Sequence, residues 1–375
     1  MTKRNDGPKP IGAVIGNDLL ARLDASREAH RRRIEAAARP GETFQQVEAR
    51  LRAEAEQRPP VGAGTWPTTD SNGKSGAYPA SMRKPPVGDE QPDFFVPALY
   101  DVGTKDSRSI MDVAVFRLSK KEKRPSELLR YELPDGYVEV SSGVAGMASI
   151  WDYDIVIMAV SHLTEAMNRY REGQGDKPGR AFRPYVADIL KFCRRSDGGR
   201  QYEEVEAALD RLKTTTVKVV RTVKSKNGRT LREASHEGLI SDYKTVSQAD
   251  DGKLISVEIE VPKWIYEEVV GGKNPDVLTV HPDFFLIDPG IGRFLYRLAR
   301  RAAGKGIAKW SFQLIYERSG STATLKKFTQ NLRRIIEAND LPEYELREEK
   351  GQSGPQLIMR HREAPETLPS GQGGT

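Results

Sequence analysis

Residues 288–362 run through an order of elements that leaves a chain few folds to choose from: a long helix, a shorter one, a turn, a third helix and a hairpin. Asp288 and Pro289 supply an N-cap and a first helical position, and Gly304 closes the helix they open. Between them Ile291, Phe294, Leu295, Leu298, Ala299 and Ala302 fall at i, i+3, i+4, i+7, i+8 and i+11, a stripe that must be buried. WSFQLIYERS (310–319) reads as the second helix, and Gly320 with Ser321 as the turn. LKKFTQNLRRII (325–336) lies in the third helix, and YELREEKGQSGPQLIMRHR (344–362) folds back as a hairpin.

The preceding segment has the same order without evident sequence identity. Near Pro92 it begins with IMDVAVFRLSK and RYELPDGYVEVSS, both strand-like, the second turning at Pro134-Asp135-Gly136. A helix opening at Asp154 buries Ile155, Met158, Ala159, His162, Leu163 and Ala166, and a second starts at Pro184. A third carries Tyr202, Val205, Leu209 and Leu212 on one face. TTVKVVRTVK then turns through Lys226-Asn227-Gly228-Arg229 into a second strand, and in ISVEIEV Ile255, Val257, Ile259 and Val261 alternate with Ser256, Glu258 and Glu260. The expected fold class is α+β, two tandem winged helix-turn-helix domains at 92–272 and 273–365. A flexible N-terminal extension (1–91) and a disordered tail (366–375) flank them. The extension holds a capping-box spacing at Thr43 and Gln46, followed by Phe44, Val47 and Leu51, then a Gly/Pro/Ser/Thr-rich linker.

The third helix of the second domain points to a ligand. Leu325, Phe328, Leu332, Ile335 and Ile336 fall within about 100° of arc and face inward. Lys326, Lys327, Thr329, Gln330, Arg333 and Arg334 take the other side, with no acid before Glu337. A solvated helix mixes signs, whereas cationic and amide side chains are the types that reach phosphates and base edges. Its place after a turn is that of a recognition helix. Arg293, Arg297, Arg300 and Arg301 on the long helix read as a second basic stripe that meets phosphates. The third helix of the first domain instead displays Glu203, Glu204, Glu206 and Asp210, which phosphates repel. Its wing carries Arg221, Lys224, Lys226, Arg229 and Arg232 without an acid, so that domain is expected to touch DNA by its wing or to dimerise.

Composition excludes several other classes. No run of about 18 apolar residues occurs, so no membrane span is expected, and MTKRNDGPKP lacks the apolar core of a signal peptide. The single cysteine, Cys193, reads as a core thiol suited to a reducing cytoplasm. The net charge of +6 is modest, and its placement matters more than its size. Gly73-Lys74-Ser75 lacks a glycine at Thr68 for a phosphate loop, and Gly290 with Gly292 lacks a third for a dinucleotide fingerprint. His30, His162, His236, His281 and His361 have no metal-ligand spacing, and no two histidines flank an apolar residue as a nicking enzyme would need. Asp152 and Asp154 could hold Mg²⁺, but capping the following helix is the commoner use. No catalytic residue, cofactor or metal is expected, and the chain is not read as an enzyme.

Three ordered blocks also look familiar: DFFVPALYDVGTKDSRSIMDVAVFRLSKK (93–121), GMASIWDYDIVIMAVSHL (146–163) and VLTVHPDFFLIDPGIGRFLYRLARRAAGK (277–305). They resemble the replication initiator protein A family of bacterial plasmids, and the resemblance runs from about Pro92 to about Arg362. It implies a cytoplasmic, plasmid-associated protein that binds repeated double-stranded sites in an origin. Such a protein helps melt adjacent AT-rich DNA and brings in host initiation proteins and the replicative helicase. It also implies a homodimer formed through the first domain that often represses its own gene. A winged-helix repressor without initiation activity is the alternative.

Overall fold

The computed structural model describes residues 81–83, 102–224, 230–247, 254–272, 275–352 and 354–364. The helical patterns of the extension, Gly73-Lys74-Ser75, Lys226, Arg229, His30 and the tail lie outside them, as does the side chain of Lys224.

Turn chemistry sets the first sheet. Pro134 and Asp135 form a two-residue loop that leaves Leu133 opposite Gly136, so β2 (Leu128–Leu133) and β3 (Gly136–Ser141) make a hairpin. It follows a short strand, β1 (Lys105–Ser107). Residues 110–116, expected as a strand, instead run from the end of a short 3-10 helix (Arg108–Ile110) through turns and bends; Ile110, Met111, Val113, Ala114, Val115 and Phe116 are buried there, so the apolar pattern records burial and not extension.

Helix α1 (Asp154–Arg171) opens with Ile155-Val156-Ile157-Met158-Ala159-Val160, all buried, so its first half is enclosed on every side. His162 and Ala166, expected inside, are only half-buried; the His162 ring stacks 5.0 Å from Phe182. Then come β4 (Ala181–Phe182), α2 (Val186–Phe192) and α3 (Gly199–Thr214), the last burying Tyr202, Val205, Ala208, Leu209 and Leu212.

The next strands depart from the sequence reading. β5 (Thr216–Lys224) and β6 (Thr230–Gly238) pair as the expected hairpin, but instead of standing as a separate wing they extend the first hairpin into a four-stranded antiparallel sheet, β2-β3-β5-β6. β4 pairs instead with β8 (Leu254–Glu260), and β8 with β7 (Asp242–Ser247), giving the order β4-β8-β7. Ile255 was expected inside, yet it is exposed. Val246 lies opposite Ser256 and Ser247 opposite Leu254, so Ile255 is the extra residue of a bulge, and Leu254 takes the inward position. Helix α4 (Lys263–Val270) and β9 (Val277–Thr279) follow.

The second half follows its expected order of elements, but Pro289 is the N-cap residue of its first helix and not the first helical position, and Ala302, expected inside, is exposed at the last turn. Helix α5 (Gly290–Ala302), β10 (Ile307–Ser311), α6 (Phe312–Ser319), α7 (Leu325–Ala338), β11 (Tyr344–Gly351) and β12 (Gly354–His361) appear in turn, with strand order β10-β12-β11. The two three-stranded sheets therefore share one topology. In each, the strand after the first helix pairs with the last strand of the hairpin. Trp310 and Ser311 belong to β10 and to the cap of α6, where the Ser311 hydroxyl accepts from the Leu314 N–H at 3.1 Å.

The halves share one continuous apolar core, with members from Ile110 to Met359, and all described residues fall in one compact unit. β1 pairs antiparallel with β9 across the expected boundary at 272/273. Gly290 and Gly292 acquire a packing role: a Cβ on Gly290 would stand 2.1 Å from the Leu118 carbonyl oxygen, so only glycine lets α5 begin against that backbone.

Candidate nucleic-acid interface

Helix α7 is capped at its start by a side chain and closed at its end by a left-handed residue whose N–H donates to the Ile335 carbonyl. The Thr324 hydroxyl accepts from the Lys327 N–H at 3.3 Å, and Asn339 ends the helix at a φ of 46° while its Oδ1 accepts from the Leu346 N–H at 2.8 Å. That last bond ties the end of α7 to the start of β11. The preceding turn is held from the first half of the chain. Gly320 takes a left-handed φ of 56°, the Arg124 guanidinium donates to its carbonyl at 2.6 Å, and the Ala114 N–H donates to the Arg318 carbonyl at 2.9 Å.

Phe328, Leu332 and Ile335 are buried; Lys326, Lys327, Gln330, Arg333 and Arg334 are exposed, and Thr329 is half-buried. Leu325 departs from the expected inward arc: it stands in the first turn and is exposed. Lys327 Nζ donates to Gln330 Oε1 at 3.2 Å, and nothing acidic on α7 itself intrudes before Glu337. The hairpin, however, brings an acid to this face. Arg333 Nε and Nη2 donate to the two carboxylate oxygens of Glu348 on β11, at 2.9 and 2.7 Å. The hydrogen bonds from Arg333 hold the Glu348 carboxyl below the usual range. A helical wheel could not show this partner, because it is 15 residues away and arrives through the hairpin.

The basic stripe on α5 needs correction. Arg293 and Arg297 are 1% and 0% exposed and face the first half of the chain, not solvent. Arg293 donates to Asp154 at 2.7 Å and to the carbonyls of Ile287 and Phe285. Arg297 Nε donates to Asp106 Oδ2 at 2.6 Å, with its guanidinium 4.9 Å from the rings of both Phe116 and Tyr153. Arg300 donates to the Thr279 carbonyl at 2.7 Å and lies 3.9 Å from Glu343. Arg301 is half-buried. Arginine can be buried when a carboxylate meets it and its stem packs on apolar neighbours, so the side of α5 opposite its apolar stripe is a second packing face.

The same pairing explains WDYD. Neither carboxylate caps α1 or is left for a cation: Asp152 accepts from Arg211 at 2.8 and 2.9 Å, and Asp154 accepts from both Arg293 and Arg195. Among the described residues no cluster of His, Cys, Asp or Glu could hold a metal ion. Sequence reasoning missed the pairs Asp106–Arg297 and Asp154–Arg293; no spacing rule connects partners 191 and 139 residues apart.

On the four-stranded sheet Arg232 donates to the Tyr137 hydroxyl at 3.0 Å, and Arg221 lies 3.9 Å from Asp135. Glu203, Glu204, Glu206 and Asp210 of α3 are exposed, and Asp210 accepts from the Tyr243 hydroxyl. Cys193 is fully buried, and burial pushes its thiol up to about 12. No helix among the described residues is long and apolar enough to cross a membrane.

Residues 105–346 match the family model "Replication initiator protein A". A curated protein of Wigglesworthia glossinidia brevipalpis, named "Putative replication protein", is 34% identical over 222 residues, which cover 58% of this chain and 76% of that protein. Among solved structures, domains 2 and 3 of RctB align with a TM-score of 0.45 at 15% identity, covering 68% of this chain and 98% of that one. A second structure of RctB domains 2–3 gives 0.44 at 12% identity, over 66% of this chain and 95% of that one.

Proposed function

Since this chain belongs to the replication initiator protein A family, we propose that it starts replication by binding repeated duplex sites in an origin through two winged-helix modules. The observation that carries the DNA reading is the outer face of α7. Lys326, Lys327, Gln330 and Arg334 stand exposed there, on the third helix of a helix–turn–helix followed by a hairpin. In this reading Lys326 and Gln330 reach base edges, with Arg333 beside them, while Lys327 and Arg334 take phosphates. Arg221 and Arg232, together with Lys224, Lys226 and Arg229 of the intervening sequence, grip the backbone or minor groove, and the first module mediates dimerisation. Arg293 and Arg297 take no part, being inside. Several bound protomers open the adjacent duplex with binding energy, without nucleotide hydrolysis or strand cleavage, and bring in host initiation proteins and helicase. The setting is a plasmid in the bacterial cytoplasm.

The test is binding across a salt series. Gln330→Ala is expected to relax sequence preference, because each bidentate base contact is worth about 1–3 kcal/mol of discrimination. Lys327→Ala is expected to weaken binding to all duplexes alike and to flatten the log–log salt slope by about 0.9. Two variants that bind like the wild type at every salt concentration would refute the interface. Support of an origin plasmid's replication in a host lacking other initiators separates initiation from repression alone.

A further inference from the structure

Arg333 presents a guanidinium whose two hydrogen-bonding edges have different fates. Nε and Nη2 form the side-on edge, and both are taken by Glu348. Nη1 makes no hydrogen bond to any described residue, so the end-on edge of Nη1 and the second Nη2 proton is open. The side chain is 49% exposed, and its guanidinium lies 5.8 Å from the Phe312 ring. The backbone that carries its carboxylate partner is itself held in place. Asn339 Oδ1 holds the Leu346 N–H, which pins β11 to the end of α7, and Glu348 lies two residues further along that strand. Glu348 is paired across the hairpin with Leu357, so its backbone stays in place if the Arg333 side chain swings away.

We propose that Glu348 is a positioning residue for base recognition: it clamps the side-on edge of Arg333 so that the end-on edge is held ready for a guanine, as donor to O6 and N7. The inference rests on the reading of α7 as the DNA-reading helix. A free arginine on a helix surface samples many rotamers, and a fixed fork does not, so holding one edge raises selectivity at the other. The same carboxylate repels phosphate oxygens, which weakens the use of Arg333 as a general backbone contact. Glu348 therefore trades affinity for all duplexes against discrimination at one base pair. The sequence could not assign this role, since Glu348 reads only as one of several charges in a polar hairpin.

The experiment uses the full chain and a pool of random-sequence duplexes, from which wild type, Arg333→Ala, Glu348→Gln and the double variant each select a consensus. The wild-type consensus is expected to contain one G·C position that Arg333→Ala loses. Glu348→Gln is expected to relax that same position by roughly tenfold or more while sparing the others. It should bind non-selected duplex at least as tightly as wild type, with an unchanged unfolding midpoint. The double variant is expected to lose no more at that position than Arg333→Ala alone. A Glu348→Gln protein that keeps the full wild-type consensus, or that relaxes every position equally, overturns the proposal. So does an Arg333→Ala protein with the wild-type consensus; if Lys326→Ala then loses a position, α7 still reads DNA and only the clamp falls. A wild type that selects no consensus refutes the reading of α7, and the clamp with it.

Discussion

Removing the carboxylate of Asp106 tests whether the arginine face of α5 is a dry contact between the two halves or an exposed basic stripe. Both partners of the Asp106–Arg297 pair are 0% exposed, so solvent screening offers no discount. In Asp106→Ala the Arg297 guanidinium loses the acceptor at 2.6 Å, and its Nη1 and Nη2 already have none; Tyr153 loses the acceptor of its hydroxyl at 2.9 Å. Stranding one charge of a buried pair costs about 3–5 kcal/mol, a large share of the roughly 5–15 kcal/mol that holds a domain together. Urea unfolding followed by circular dichroism should show the midpoint falling by roughly 1–2 M. Asp106→Leu combined with Arg297→Met removes both charges and keeps a stem between Phe116 and Tyr153. That double variant should recover most of the loss, since apolar replacement of a whole buried pair is close to neutral. A cost below about 1 kcal/mol for Asp106→Ala would mean that Arg297 escapes to water. The buried placement of the stripe would then be wrong, and phosphate contact by Arg297 would return.

Two further outcomes follow from burial and close approach. The Cys193 thiol, pushed up to about 12 by burial, should resist alkylation at pH 8 until the chain unfolds, its thiolate fraction being about one in ten thousand; rapid native labelling would refute its enclosure. Because its folded pKa is raised above the ordinary 9.0, its contribution to stability is fully present below about pH 9 and is lost as pH rises toward 12. Gly290→Ala would place a methyl 2.1 Å from the Leu118 carbonyl oxygen, so backbone must shift. A loss of about 1–3 kcal/mol in urea unfolding is expected, and a neutral result would show that the start of α5 is not seated against Leu118.

What the sequence disclosed depended on how local the cause was. The buried Phe294, Leu295, Leu298 and Ala299 of α5, the glycine that ends α6 and the inward residues Phe328, Leu332 and Ile335 follow from helical period and capping, which act within a few residues. The outer face of α7 was legible for the same reason, since Lys326, Gln330 and Arg334 are exposed by the burial of their neighbours. Sheet membership was not. β5 and β6 alternate and turn like any hairpin, and nothing local tells whether the partner is β3 or β4. The charge pairs were hidden for the same cause. Arg293, Arg297 and Arg333 all look solvated on a wheel, and each is claimed by a carboxylate from another element.

Those three claims divide the arginines by use. Arg293 and Arg297 hold the halves of the chain together through Asp154 and Asp106, at sites where water is absent and removing one partner is costly. Arg333 meets Glu348 at the surface, where the pair contributes little to stability, so its geometry and not its energy is what the fold retains. The turn before α7 is anchored by Arg124 and by Ala114, both from the first half, and α5 is anchored by β1 and α1. Helix α7 therefore cannot tilt without disturbing the first half. A duplex gripped by both halves would meet contact points at a fixed separation, and the register of its sites would be set by the core between the halves and not by a linker.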